Sequence, residues 1–319
     1  MWAYIARRLI QGIITLLIIT VVCFTLTRLS ADPMAQYANR PGITAEDKAR
    51  IQKQLGLDQP MPVQYMRWLT MALQGELGNS FFSKQPVAEL IKQRLPMTLV
   101  LMFTAEIIVV SISLILGTIS AVKQYSLLDN IITTLSFIGY SMPIFFVALG
   151  LMLIFSVQFK AWGLPNLPTG ADIWNPKNPA ELIRHMILPV TCLVIITTAG
   201  YSRFLRSSVL EVLGQDYVRT ARAKGLRERK VLYKHTLRNA ILPFVTLIGL
   251  DIPFLIAGAL VTESVYAWPG MGRLFWEYAQ RGDFPVVNGV LLLVSVLVVF
   301  FTIVTDVLYT FIDPRIRLS

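Results

Sequence analysis

The chain has 319 residues, a mean hydropathy of +0.59, and 55% hydrophobic against 15% charged residues. Soluble domains carry about 45–50% apolar and about 25% charged residues, so this excess excludes a single water-soluble core, a disordered chain and a fibrous one. The net charge of +10 is read as a topology signal and not as a nucleic-acid surface. Two cysteines, Cys23 and Cys192, lie in apolar runs and make no disulfide scaffold.

A bilayer core of about 30 Å takes about 20 apolar residues as a helix. Six stretches meet that requirement: 9–26, 98–122, 131–158, 183–201, 240–261 and 286–312. All are expected as helices, because open sheet edges are not tolerated in lipid. The expected class is therefore an all-α membrane protein. The first span follows Arg7 and Arg8 as a signal peptide would. No A-x-A-like cleavage site follows it and the apolar run is long, so it is read as a retained helix. This divides the chain into an N terminus with its first span (1–27), an extracytoplasmic segment (28–97), a five-helix core (98–312) and a short tail (313–319).

The segment 28–97 reads as a small helical cap. Thr44, followed by Glu46 and Asp47, opens one helix that Gly56 stops. A second helix is expected from about Val63 to Gln74, and a third over 87–95, with Pro86 at its start and Pro96 ending it. The loop 159–182 is rich in Pro and Gly and reads as irregular. In the next outer loop, Glu263 precedes Trp268-Pro269-Gly270-Met271-Gly272, which forces a tight turn before a short helix over 274–280.

The remaining long connection, 202–239, holds ten Lys and Arg. If both termini lie on its side, that face carries fifteen cations against five acids, and the opposite face fourteen against eleven. By the positive-inside rule the first face is cytoplasmic. The connection is too long and too patterned for a plain loop. It reads as an ordered helix–turn–helix excursion that either lies on anionic lipid or lodges a short helix in a partner's groove.

Within it, Asp216-Tyr217-Val218-Arg219-Thr220-Ala221-Arg222-Ala223-Lys224-Gly225-Leu226, followed by Leu237-Arg238-Asn239-Ala240-Ile241-Leu242-Pro243, resembles the cytoplasmic coupling loop of ABC-importer permeases. The resemblance is closest to the dipeptide, oligopeptide, nickel and glutathione branch. Gly56-Leu57-Asp58, Gly75-x-x-Gly78-x-Ser80, Arg94-Leu95-Pro96, Glu263-x-Val265-Tyr266 and Asp306-x-x-Tyr309-x-x-x-Asp313-Pro314-Arg315 agree in order along the chain. Three departures are visible, one of them a longer distance from Gly225 to Pro243 than the general pattern has. Arg219-Thr220-Ala221 stands where the general pattern has Glu-Ala-Ala, and Ala31-Asp32-Pro33 stands for Gly-Asp-Pro.

The resemblance implies a six-helix type I importer permease fold in a bacterial or archaeal inner membrane. It implies a permease subunit for peptides, with nickel chelates, glutathione or oligosaccharides as alternatives. The implied partners are a second related permease, two ATP-binding subunits that hold ATP and Mg, and an extracytoplasmic substrate-binding protein. The chain itself has no G-x-x-x-x-G-K-[ST] loop and is expected to bind no cofactor or metal. Membrane lipid surrounds it. Coupling to the ATPase subunits is assigned to Asp216, Tyr217, Arg219, Ala221, Lys224 and Gly225. Ionisable groups at membrane depth are costly and are usually turned toward protein or a wet cavity. Glu106 and Asp251 are therefore candidates for the pathway, and Glu263, Pro269 and Gly270 for a gate. A stand-alone secondary transporter is the competing reading, but the halves show no internal repeat.

Overall fold

The computed structural model describes residues 2–30, 34, 44–54, 56–170, 178–258 and 260–312. Among them the regular elements are all helical. In chain order they are α1 (Trp2–Ser30), α2 (Ala45–Gln54), α3 (Met61–Leu73), α4 (Val87–Val122), α5 (Leu127–Ser141) and α6 (Ile144–Ala161). Then come α7 (Pro179–Leu213), α8 (Asp216–Ala223), a helical turn (Glu228–Lys230) with a π-helical stretch (Val231–Leu237) that leads into α9 (Arg238–Gly258), α10 (Leu260–Val265), α11 (Met271–Gln280) and α12 (Phe284–Ile312). The motifs Ala31-Asp32-Pro33 and Asp313-Pro314-Arg315 lie outside the described residues.

Among the described residues, five helices are long and apolar enough to cross a bilayer: Ala6–Leu29, Val87–Val122, Ile144–Ala161, Pro179–Leu213 and Phe284–Val307. The chain is a multi-pass membrane protein. The expected span 240–261 falls on α9, which carries Asp251. Part of that stretch lies outside the description, so the count of six belongs with the proposals below.

Proline accounts for two departures from the expected boundaries. The stretch 131–158 is not one helix but two, broken where Met142 is extended (ψ 129°) ahead of Pro143. A residue before proline is pushed out of the helical region by the ring. The opposite happens at Pro96, which lies inside α4; Pro189 lies inside α7, within a stretch expected to be one span. The expected helix 87–95 therefore does not stop at Pro96 but runs on into the second span. Tertiary bonds hold the backbone there: the Trp268 indole donates to the Met97 carbonyl (3.0 Å) and the Thr98 hydroxyl to Glu263 (2.6 Å). Likewise α7 fuses the fourth span with the first amphipathic stretch of the basic 202–239 excursion. At about 1.5 Å per residue, these helices of 36 and 35 residues outreach a bilayer core of about 30 Å.

Helices α4 and α7 form the central pair. Leu101, Met102 and Ala105 pack on Met186, Val190 and Leu193 in one half, and Val109 and Ala121 on Tyr201, Leu205 and Val209 in the other. Helix α1 is peripheral. Leu9, Ile10, Ile13, Ile14, Leu17 and Ile18 are exposed, as a lipid-facing surface requires. It is pinned at both ends: Arg8 pairs with Asp306 of α12 (3.2 Å), and Thr20 hydrogen-bonds Tyr65 of α3 (2.9 Å). Helix α2 opens at Thr44 as expected, with a reciprocal cap between Thr44 and Asp47.

Candidate functional site

The structure separates the expected site residues into three places. The first is the short helix α8, which projects from the end of α7. Val218 (0% exposed) and Ala221 (5%) turn inward onto Val231, Val212, Leu213 and Leu226. Ala221 therefore faces its own chain and seats the helix. The residues that face outward are Asp216, Tyr217, Arg219, Lys224 and Gly225. The Tyr217 hydroxyl accepts from the Asn239 amide (3.1 Å), which ties α8 to the start of α9.

Helix α8 ends in a Schellman arrangement. The Gly225 amide donates to the Arg222 carbonyl (2.9 Å) and the Leu226 amide to the Ala221 carbonyl (3.4 Å), while Leu226 packs back on the seat. Gly225 has φ +72° and open space around its Cα. Its requirement is thus conformational, because a Cβ is disfavoured in the left-handed region. A rigid, outward-facing polar knob results, flanked by exposed Arg222, Arg227, Arg229 and Lys230.

A clamp that sequence reading did not single out lies beside it. Arg206, on the extension of α7 toward α8, donates through Nε and Nη2 to both oxygens of Asp129 (2.8 Å each). Asp129, 2% exposed at the start of α5, also accepts from the Ser120 hydroxyl and the Tyr125 amide. The Arg206 guanidinium is the main reason its carboxyl is held well below the usual carboxylate range; burial opposes, and the Ser120 and Tyr125 bonds add to the lowering. This clamp joins the α4–α5 turn to the helix that carries α8. The available signal was a lone acid three residues after a capping Ser126, beside a basic extension of a span.

The second place is at membrane depth. Glu106 and Asp251 are far apart in sequence, yet both lie close enough to Tyr201 of α7 to act electrostatically on its hydroxyl. Glu106 is 8% and Tyr201 4% exposed, and neither the carboxylate oxygens nor the phenol oxygen makes a hydrogen bond of ordinary geometry. Three helices, α4, α7 and α9, each supply one ionisable group to this point. Tyr201 was not anticipated, because only its place beside two distant acids gives it meaning.

The third place is the turn between α10 and α11. Glu263 is fully buried; it accepts the Thr98 hydroxyl and the backbone amides of Gly272 (2.7 Å) and Arg273 (3.2 Å). Thr98 in turn accepts from the Met271 amide (2.7 Å). Glu263 thus serves the first turn of α11 as an external cap, favourable at the positive end of the helix. A Cβ at Gly270 would overlap the Glu263 carboxylate, so the glycine is required by close approach. Pro269 is half-buried in the turn. Among the described residues no cluster of three His, Cys, Asp or Glu is placed to hold a metal.

Comparison with known proteins places this geometry. The family model described as binding-protein-dependent transport system inner membrane component matches residues 113–318. The chain belongs to that family. Residues 1–102 match the companion N-terminal model of such membrane components. Similar curated proteins include the oligopeptide transport system permease protein AppB of Bacillus subtilis (42% identical, 99% of this chain and 100% of the relative). The dipeptide transport system permease protein DppB of Escherichia coli K12 is 38% identical over 99% of each chain. The glutathione transport system permease protein GsiC of Salmonella paratyphi A is 41% identical over 98% of each. Among solved structures, an amino acid ABC transporter with histidines shares the fold. Its TM-score is 0.50 at 17% identity, covering 72% of this permease and 94% of that chain.

Proposed function

We propose that this permease is one transmembrane half of an ATP-driven importer for peptides. In this reading it spans the inner membrane six times with both termini in the cytoplasm. It pairs with a second, related permease, two ATP-binding subunits dock below, and an extracytoplasmic binding protein delivers cargo. ATP and Mg are held by the ATP-binding subunits. The observation that carries the reading is α8: a short helix seated on its own chain by Val218 and Ala221, capped by Gly225, with its polar face outward. The family membership and the peptide-permease relatives support it.

The mechanism follows from rigidity. Closure of the ATP-binding pair would displace the grooves holding Asp216, Tyr217, Arg219, Lys224 and Gly225. Helix α8 passes the displacement to α7, whose 35 residues run without a break from the cytoplasmic excursion through the membrane. The Asp129–Arg206 clamp carries α5 along. The pathway then alternates between inward and outward access, each state favoured by different contacts. Glu106, Tyr201 and Asp251 lie on the moving elements and suit passage of a cationic amino terminus. Glu263, Pro269 and Gly270 form the rigid outer turn against which such a motion closes.

The test is reconstitution of the purified complex in liposomes with a labelled dipeptide and ATP inside or outside. ATP-dependent accumulation, with co-purification of two ATP-binding subunits, is the expected result. Transport by the chain alone, driven by an ion gradient without ATP, would overturn the reading.

A further inference from the structure

A cavity of about 390 Å³ lies where α1 ends, between α1, α3, the 76–84 segment and the start of α12. Its walls include Phe24, Arg28, Trp68, Lys84, Phe284 and Asn288. None of the proposed transport chemistry uses it. Its volume is that of a small-ligand site, for which about 300–1,000 Å³ is typical.

The polar groups there are mostly donors. The Arg28 guanidinium stacks on the Phe24 ring (5.4 Å), and its Nε is buried without a hydrogen-bond partner. Asn288, 5% exposed, accepts the Thr27 hydroxyl through Oδ1 (2.8 Å), which leaves its amide NH2 as the donor. Lys84 adds an ammonium at the exposed rim, and Glu76, also exposed there, is the one carboxylate among the described residues of the wall. Lys84 and Glu76 are both exposed and offset one another at the rim, and the buried Asp283 behind the wall is engaged by the Ser80 hydroxyl and the Phe82 amide; the buried donors left facing the cavity, Arg28 and the Asn288 amide, select an anion. The remaining wall is aromatic and aliphatic, which selects an anion with an apolar body.

Location decides the source. Arg28 is in the last turn of the span Ala6–Leu29, the depth of lipid headgroups. The outer side of the same helix, at Leu17, Ile18, Val21 and Val22, is exposed to the bilayer. A phospholipid lying along that face would have its phosphate at the level of the guanidinium. We propose that this cavity binds an anionic phospholipid, with Arg28 and Asn288 donating to the phosphate oxygens and the apolar portion lying against Phe24, Trp68 and Phe284.

The test uses the full chain with the partners it retains, delipidated in detergent and titrated by native mass spectrometry. The probes are phosphatidylglycerol, phosphatidylcholine and, as the free phosphate source, glycerol 1-phosphate. Phosphatidylglycerol should be retained over phosphatidylcholine. Arg28→Gln should weaken its binding about tenfold, the loss expected for one charge-assisted hydrogen bond. Lys92→Gln, which removes an exposed cation on α4, should change nothing. Equal retention of both lipids, unchanged binding in Arg28→Gln, or glycerol 1-phosphate binding as tightly as lipid would overturn the proposal. If Arg28→Gln does not fold, Lys84→Glu on the exposed 81–84 turn provides the same comparison: selectivity should fall, and undiminished selectivity counts against the site.

Discussion

Replacing Arg206 with Met should destabilise the permease by about 3 kcal/mol. Asp129 is 2% exposed and receives both guanidinium bonds at 2.8 Å. Removing one member of a buried pair strands the other charge, at a typical cost of about 3–5 kcal/mol. The lower end applies because 24% of the Arg206 side chain remains exposed. Arg206→Lys keeps the charge but loses the fork, which should cost about 1–2 kcal/mol. The double variant Asp129→Leu/Arg206→Met removes both charges and should recover most of the loss. Thermal unfolding of the detergent-purified complex, arranged as a double-mutant cycle, gives the coupling directly. An Arg206→Met variant within about 0.5 kcal/mol of the parent, the range of an ordinary surface change, would refute the clamp.

Gly270→Ala should lower the unfolding temperature sharply, because the methyl group displaces Glu263 from three hydrogen bonds; a loss of about 2–4 kcal/mol is expected, and an unchanged midpoint would contradict the assignment. Gly225→Ala meets no neighbour and should cost only the left-handed strain, about 1 kcal/mol; a variant that folds normally but fails to assemble would show that a partner needs the space itself. Ala221→Glu puts a carboxylate into the apolar seat of α8 and should abolish coupling through loss of the helix, so its far-ultraviolet and proteolysis profiles should change together with uptake. Because Arg206 lowers the Asp129 carboxyl in the folded state, the clamp's stability is present above the unfolded value of about 4 and is lost only as pH falls through the lowered folded value. The stability gap between parent and the double variant Asp129→Leu/Arg206→Met, which has no titratable group at the clamp, should stay constant from about pH 8 to about pH 5; a gap that changes near neutrality would contradict this.

What the sequence made legible was whatever depends on hydropathy and local chemistry. The spans carried by α1, α4, α7 and α12 follow from apolar length, and the Thr44 start and Gly225 stop follow from capping chemistry. Proline was the source of most boundary errors. The same residue breaks the chain at Pro143 and is absorbed at Pro96 and Pro189, because the outcome is set by tertiary bonds such as Trp268 to Met97. The inward face of α8 was half legible. Val218 and Ala221 share a face at i,i+3 spacing, yet the family pattern drew attention to Ala221 as a contact. The meeting of Glu106, Tyr201 and Asp251, and the pairing of Asp129 with Arg206, were not legible, since each joins positions on different helices. Arg8 and Asp306 stood out as separate motifs at opposite ends of the chain; the structure makes them one ion pair.

The most direct measurement places a photo-crosslinking side chain at Arg219, whose guanidinium is 72% exposed on the outer face of α8, in the assembled membrane complex. The account predicts an adduct to an ATP-binding subunit whose yield changes when ATP is bound. An adduct formed only with lipid, or equal yields with and without the ATP-binding subunits present, would contradict it.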